Sequence, residues 1–275
     1  MLPTEPMTRT ERYLARLAGQ DVSIPDTPIT REEEYLAYII SNGGGVPAPN
    51  AGAHNSVFRG KNLGSTYTQA QADAIDAGTF DGLYIGDYWT INGVTYRIAA
   101  FDFYYQLGVP KFLTHHAVIM PDTIIGPTCP INSEASATGG YKNSEMKNTT
   151  LPAILSDVII PAFGDGNILS RYSVLGTGAN SGDYTLTRID LLDEVQVFGF
   201  FVAGRAATNG EKKTKFPLFT LAPQYSAIAS AWWLQTQTNT DSFELVGANG
   251  SYGVTAMTAV QGVRPYFCLG KAPTP

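Results

Sequence analysis

The sequence has few charged residues and few cysteines, and both shortages exclude classes of protein. Charged residues make up 15% of the 275 positions, whereas about 25% is usual in soluble domains. The net charge is −6, and no basic run is long enough for a nucleic-acid-binding surface. Two cysteines, Cys129 and Cys268, are too few for a disulfide framework. A disulfide between them is not favoured, because isolated thiols made in a reducing cytoplasm usually stay buried and reduced.

Long apolar runs are also missing, which bears on membranes and secretion. No stretch reaches 18 consecutive apolar residues, so we expect no membrane-spanning helix. The first residues lack a basic region followed by an apolar one, so we expect no secretory signal. The chain nevertheless has enough apolar residues to form a hydrophobic core, since 44% of residues are hydrophobic and 11% aromatic. The composition therefore predicts a folded, turn-rich protein.

Residues 1–42 contain a short helical unit that occurs twice. Segments 6–17 and 28–39 share Pro, Thr, Arg, Glu, Tyr, Leu and Ala at matching positions. Each copy has a Thr three residues before a Glu, which predicts a capping box for both helices. Helices of about ten residues are marginal alone, so we expect them to dock on the main domain, on each other or on another subunit. Residues 43–54 are rich in Gly and Pro, which predicts a tether.

Residues 55–275 are predicted to form one domain of the α+β class, with short antiparallel strands and a few helices. The pair Asn92 and Gly93 between two β-rich runs is a strong signal for a type I′ hairpin. Helices are predicted at 68–77, 151–162 and 187–197. Strands are predicted at 82–85, 88–91, 94–100, 116–120, 184–186, 243–246 and 263–269.

Candidate chemistry in this domain is sparse. His115 and His116 with Asp122 look like a metal cluster, but neighbouring strand residues point to opposite faces and cannot both bind one ion without distortion. We therefore expect structural or surface histidines. No calcium loop of fixed spacing is present, although binding through scattered loop oxygens stays open. Nucleophile motifs are absent, and Cys268 in an apolar strand is expected to be a core residue.

The C-terminal region is the most informative part of the sequence. Two apolar segments, 232–234 and 262–269, are predicted to be buried, and about 28 polar and small residues lie between them. Strands in this stretch must present alternate side chains to solvent, and its residue types suit adaptable hydrogen bonding with aromatic contacts. The alternative is an ordinary solvated hairpin loop. The predicted binding surface, with Phe243 and Tyr252 as its main contacts, consists of Gln235, Gln237, Asn239, Phe243, Glu244, Asn249, Tyr252, Thr255 and Met257.

The two apolar segments carry a resemblance to a known family. The Trp-Trp-Leu of 232–234 and the Gly-Val-Arg-Pro-Tyr-Phe-Cys-Leu of 262–269 resemble the C-terminal signature of C-type-lectin-like domains related to the formylglycine-generating enzyme, as found in bacteriophage and prophage virion proteins. Segments 86–99 and 139–146 and the histidine pair are also similar to that family. The duplicated motif of residues 1–42 is similar to the leader of many phage structural proteins.

The resemblance implies a fold that displays a ligand-binding surface between the tryptophans and the last strand. It also implies a structural role for Arg264, whose guanidinium would tie loops together inside the domain. Enzymatic members need two reactive cysteines in the C-terminal half. Cys129 and Cys268 do not match that pair, so we expect a protein that is not an enzyme and needs no cofactor.

The function expected from the resemblance is that of a structural virion protein of a tailed phage, of the tail-tip or tail-fibre type, that binds the host surface. A capsid decoration or head-fibre protein is the first alternative, and a formylglycine-generating type of oxidase is the second. Expected partners are other virion proteins through residues 1–42 and a host-surface glycan or protein, with neither nucleic acid nor membrane. We expect a homotrimer, located in the virion after synthesis in the bacterial cytoplasm.

Overall fold

A computed structural model describes residues 8–17, 51–136, 138–178, 181–201 and 214–271, together with positions 23, 25, 27, 28, 30 and 33. The chain divides into two compact units, Met1–Asn50 and Ala51–Pro275. Helix and strand account for 27% and 28% of the described residues, and the strands pair with antiparallel neighbours. These observations confirm the α+β class.

The N-terminal unit contains the first predicted capping box. Helix α1 spans Arg9–Leu17. The backbone N–H of Thr8 donates to the Glu11 carboxylate at 2.7 Å, and the N–H of Glu11 donates to the Thr8 hydroxyl at 3.3 Å. In the second copy the N–H of Glu33 donates to the Thr30 hydroxyl at 3.1 Å. The remainder of the second predicted helix lies outside the described residues.

The predicted tether of residues 43–54 extends four residues too far. Its first part, 43–50, lies outside the described residues, but Ala51–His54 forms the short helix α2 of the C-terminal unit. His54 is buried, its Nδ1 bonds the carbonyl oxygen of Leu83, and its ring packs among three aromatic rings. These contacts make residues 51–54 part of the domain.

The C-terminal unit holds the remaining elements. After α2 come the helices α3 (Gln69–Asp76), α4 (Leu151–Ile154), α5 (Ile160–Phe163), α6 (Glu194–Phe198) and α7 (Pro217–Leu221). Two π-helical segments flank α4, at Met146–Thr150 and Leu155–Ile159. The strands are β1 (Tyr88–Ile91), β2 (Val94–Phe101), β3 (Ala117–Pro121), β4 (Arg171–Gly178), β5 (Ser181–Thr187), β6 (Ile189–Leu191), β7 (Trp232–Gln237), β8 (Ser242–Val246), β9 (Tyr252–Ala256) and β10 (Pro265–Leu269).

These strands form three sheets. The central sheet has the order β1-β2-β3-β10-β6, the ribbon pairs β4 with β5, and the C-terminal sheet has the order β7-β8-β9. Every residue of β3 and β10 is buried, which is why both strands are continuous apolar runs in the sequence. No helix in the described part of the chain is long and apolar enough to cross a membrane.

Local signals predicted several elements correctly. Thr68 caps α3 in a capping box with Gln71, as the predicted helix 68–77 requires. Asn92 and Gly93 have φ angles of 51° and 80°, the positive values that a type I′ turn needs. The predicted helix 151–162 is helical throughout, although a π-helical segment interrupts its α-helical bonding.

Two predicted elements are wrong. The predicted helix 187–197 is divided into strand β6, which pairs with β10, and helix α6. A capping box of Asp193 with Gln196 starts that helix late, and pairing with β10 overrides the helical pattern before it. The predicted strand 82–85 is a turn region in which Ile85 forms only an isolated bridge with Phe58.

Candidate functional site

The two apolar segments that flank the candidate site are buried, as predicted. Trp232 and Trp233 on β7 are both fully buried. The indole N–H of Trp233 donates to the carbonyl oxygen of Cys129 at 2.8 Å, and its backbone N–H donates to Gly262 at 3.0 Å. The C-terminal sheet is therefore attached to the rest of the domain through β7.

Arg264 ties loops together inside the domain, as the resemblance implies. Its side chain is fully buried, and its guanidinium donates to the carbonyl oxygens of Pro121 at 2.9 Å and Tyr225 at 2.7 Å. The guanidinium also lies 5.1 Å from the ring centroid of Trp232, within cation–π range. Burial lowers the pKa of Arg264 to about 9, against the opposing effect of Asp122.

The predicted binding residues do not share one face of the C-terminal sheet. Phe243 pairs with Thr255, while Glu244 pairs with Val254. Adjacent strand residues point to opposite faces, so Phe243 and Thr255 lie on one face and Glu244, Val254 and Tyr252 on the other. The prediction of a single surface that contains all nine residues is wrong.

Four of the nine predicted binding residues are buried, which is a second correction. Phe243, Glu244 and Met257 have no exposed surface, and Gln237 has 8%. The Met257 side chain belongs to the hydrophobic core, and its sulfur accepts a hydrogen bond from Asn132 Nδ2 at 3.8 Å. Phe243 is a core residue and cannot be a main contact for a ligand.

The other five predicted residues retain solvent exposure to different degrees. Asn239 and Asn249 are exposed, and Gln235, Tyr252 and Thr255 are half-buried. Gln235 is occupied structurally, because its side-chain amide donates to the Leu191 carbonyl oxygen at 2.9 Å. The remaining four lie on or beside β9, the edge strand of the C-terminal sheet.

We call the exposed strip along this edge strand the β9 surface. Val254, which is 45% exposed, and Ala256 also belong to it, although the sequence analysis did not include them. Asn249 lies in the turn before β9, and Asn239 lies in the turn that joins β7 to β8 at the opposite end. The β9 surface consists of Asn239, Asn249, Tyr252, Val254 and Ala256, while Thr255 points to the opposite face of the sheet.

Tyr252 is held from behind by groups that sequence analysis missed. Its hydroxyl donates to Glu244 Oε1 at 3.4 Å, and its ring meets the edge of Phe198 on α6 at a centroid distance of 6.0 Å. Burial raises the pKa of Tyr252, and the nearby Glu244 raises it further. The sequence signal for these contacts was a glutamate between the apolar Phe243 and Leu245 of β8, but the residue that it meets on α6, Glu194, is remote in the chain.

His116 has a structural role, as predicted. The His116 side chain is fully buried. Its Nδ1 bonds the Thr114 carbonyl oxygen at 2.9 Å, and its Nε2 accepts from the Tyr104 backbone N–H at 3.1 Å. Burial lowers the pKa of His116 to about 3, so the ring is neutral and both nitrogens are used within the domain.

His115 and Asp122 each have another partner. His115 Nδ1 lies 2.6 Å from Asp102 Oδ2, and its ring stacks on Tyr105. Asp122 forms an ion pair with Arg97. Within the described ranges, no group of three or more His, Cys, Asp and Glu side chains is arranged to hold a metal ion.

Neither Cys129 nor Cys268 forms a disulfide. Cys268 is buried in β10, opposite Val118 of β3, in agreement with its predicted core position. Cys129 is half-buried with its sulfur 3.9 Å from the Thr150 hydroxyl, and burial raises its pKa. A raised pKa disfavours the thiolate, which is the nucleophilic form.

The domain also contains an open groove of about 570 Å³, away from the β9 surface. It runs between residues 111–114 and 165–170. Arg188 lines it and is engaged by Asp165 at 2.8 Å, while Leu113 is 64% exposed at the same groove. The groove is therefore an alternative location for a ligand.

Comparisons with known proteins give no assignment for these sites. No protein-family model matches the chain, and no curated protein and no solved structure is significantly similar to it.

Proposed function

We propose that this chain is a structural virion protein of a tailed bacteriophage, and that its C-terminal unit is a C-type-lectin-like domain that binds the host surface. The observation that carries the proposal is the β9 surface, an exposed polar and aromatic strip on a sheet whose other two strands are mostly buried. The sequence resemblance of segments 232–234 and 262–269 supports the same reading. Residues 1–42 would contact other virion proteins, with the chain assembled as a homotrimer.

The contacts behind Tyr252 favour recognition at this surface. An aromatic side chain contributes much contact area for little lost conformational entropy when it is already held in place. Tyr252 is half-buried, with Phe198 at its ring and Glu244 at its hydroxyl. Its orientation is therefore set before a ligand arrives.

The chemistry of the neighbours suits a glycan or a polar protein surface. Asn239 and Asn249 provide amide donors and acceptors. Val254 and Tyr252 add apolar area between them. This combination matches a ligand with many hydroxyl or amide groups and an apolar face, which is common to sugars and loop backbones.

The proposal is tested by attachment of the purified full-length protein to whole bacterial cells and to cell walls prepared from the same strains. Tyr252→Ala should weaken attachment more than tenfold, equivalent to about 1.4 kcal/mol, because it removes the central contact. Leu113→Ser, at the alternative groove, is the matched control and should attach normally.

The outcomes separate the two locations. Loss of attachment in Leu113→Ser with normal Tyr252→Ala would move the binding site to the groove. Normal attachment by both variants would contradict binding through either surface. Labelling of intact particles for this protein distinguishes the tail from the capsid, and label on the capsid would favour the decoration alternative.

A further inference from the structure

Two buried carboxyl groups meet beneath the β9 surface. Glu194 is the first residue of α6 and Glu244 is the central residue of β8, and their exposed fractions are 1% and 0%. The two carboxyl groups are close enough to share a hydrogen bond, and Glu194 Oε1 and Glu244 Oε2 are both shielded from solvent. This contact joins α6 to the C-terminal sheet.

A hydrogen bond between two carboxyl groups requires a proton on one of them. An ionised carboxylate has only acceptor oxygens, so two ionised groups offer no donor and repel each other. In a buried site, where water does not screen the charges, one carboxyl group of such a pair remains protonated. The geometry therefore calls for one proton between Glu194 and Glu244.

We propose that Glu244 is a neutral carboxylic acid that donates its hydrogen bond to the Glu194 carboxylate, and that removal of this proton releases α6 from the C-terminal sheet. Glu194 is the natural acceptor, because it follows the N-cap Asp193 in the first turn of α6, where the peptide dipoles favour negative charge. Glu244 lies in mid-strand between Phe243 and Leu245 and has no such support.

The groups that face Glu244 come from three elements. Burial and the charge of Glu194 raise the pKa of Glu244 to about 9. The hydroxyls of Thr236 on β7 and Tyr252 on β9 act in the opposite direction, because hydrogen bonds donated to a carboxylate favour its charged form. Burial and like charge prevail over both hydroxyls, so the acid stays neutral at pH 7.

Release of α6 would change how Tyr252 is held on the β9 surface. Phe198, the last residue of α6, supports the Tyr252 ring, and the Tyr252 hydroxyl contacts Glu244 directly. Release of α6 thus removes the Phe198 contact, whereas the Tyr252 hydroxyl can still donate to the ionised Glu244 carboxylate. The consequence for ligand binding rests on the proposed function, whereas the shared proton and the release of α6 do not.

Carbon-13 NMR of the glutamate side chains in the full-length protein tests directly whether Glu244 carries a proton. One carboxyl resonance should remain in its protonated position at pH 7 and titrate near pH 9. Glu244→Gln should remove that resonance, and Glu134→Gln, which removes an exposed carboxyl group, should leave it unchanged. Titration of every glutamate below pH 6 would overturn the proposal.

The release of α6 is tested by amide hydrogen exchange. Comparison of wild type with Glu244→Gln at one pH cancels the intrinsic effect of pH on exchange. The amides of α6 should exchange at similar rates in both proteins at pH 7 and at least tenfold faster in wild type at pH 10. An unchanged ratio at the two pH values would overturn the release.

A second variant, Glu194→Gln, tests the proposal independently in case Glu244→Gln does not fold. Glu194→Gln replaces the neighbouring charge by an amide that can donate to Glu244, so the high-pH resonance should titrate at least one pH unit lower. If that resonance stays where it is in wild type, Glu194 is not the partner and the proposal fails.

Discussion

The central sheet and the C-terminal sheet have the same antiparallel pairing but differ in how many of their side chains are exposed to solvent. In the central sheet, β3 and β10 are buried at every position, so no side chain is free to meet a partner. In the C-terminal sheet, β7 is largely buried while the edge strand β9 has no buried residue. The difference shows that the first sheet stabilises the domain and that the second offers a surface on a fixed base.

The two regions also differ in how they keep a buried titratable group neutral. His116, beside the central sheet, is a base that burial keeps unprotonated. Glu244, in the C-terminal sheet, is an acid that burial and Glu194 keep protonated. One region therefore becomes less stable in acid and the other in alkali.

The largest expected effect concerns the inner face of the C-terminal sheet. Trp233→Ala should lower the free energy of unfolding by about 3–5 kcal/mol, because it removes a fully buried indole and its bond to Cys129. Denaturant unfolding measures the loss. Val254→Ala on β9 is the control and should change stability by less than about 0.5 kcal/mol. Similar losses in both variants would abolish the contrast between β7 and β9.

The next effect is the pH dependence of stability. Folded Glu244 binds a proton up to about pH 9, whereas its unfolded form loses it near 4.5, so stability should fall as pH rises through this window. Folded His116 stays neutral down to about pH 3, whereas its unfolded form binds a proton near 6.5, so stability should fall as pH drops through that window. The two slopes cancel between about pH 4.5 and 6.5.

Denaturant unfolding across pH should therefore show a plateau with two falling limbs. From pH 6.5 to 9 the loss should be about 3 kcal/mol, at about 1.4 kcal/mol for each pH unit. Glu244→Gln should flatten the alkaline limb and extend the acid limb up to about pH 6.5, while His116→Gln should flatten the acid limb and extend the alkaline limb down to about pH 4.5. An alkaline limb that survives Glu244→Gln would place its origin in another group.

The smallest expected effect tests the residue that joins the two sheets. Arg264→Met should lower the free energy of unfolding by about 2 kcal/mol, because it leaves the buried carbonyl oxygen of Pro121 and the partly buried one of Tyr225 without their donor. Arg188→Met is the control. Its partner Asp165 is largely exposed, and the loss should stay below about 1 kcal/mol. Equal losses would mean that burial does not distinguish the two arginines.

Elements with a local chemical signal were predictable from sequence. The capping boxes at Thr8 and Thr68 use groups three residues apart, and the hairpin at Asn92 and Gly93 depends on two residues that accept positive φ. The burial of Trp232 and Trp233 followed from their size and apolar character. Such signals act within one turn of chain or within one side chain, so no tertiary information is needed.

The candidate site was predictable only in part. Tyr252 and the two asparagines were identified through their residue types, and they retain exposure in the structure. Phe243 and Glu244 were misplaced because a run of alternating residues does not say which face of its strand is covered. In this protein both faces of β8 are covered, the first by the core and the second by α6.

By itself the sequence determined the mixed class, the caps, the hairpin and the buried tryptophans, because each depends on neighbours in the chain or on apolar content. Only the tertiary structure decided that β6 and α6 divide a predicted helix and that Glu194 reaches Glu244. Strand pairing and burial are set by elements distant in sequence, and burial in turn determines which carboxyl group keeps its proton.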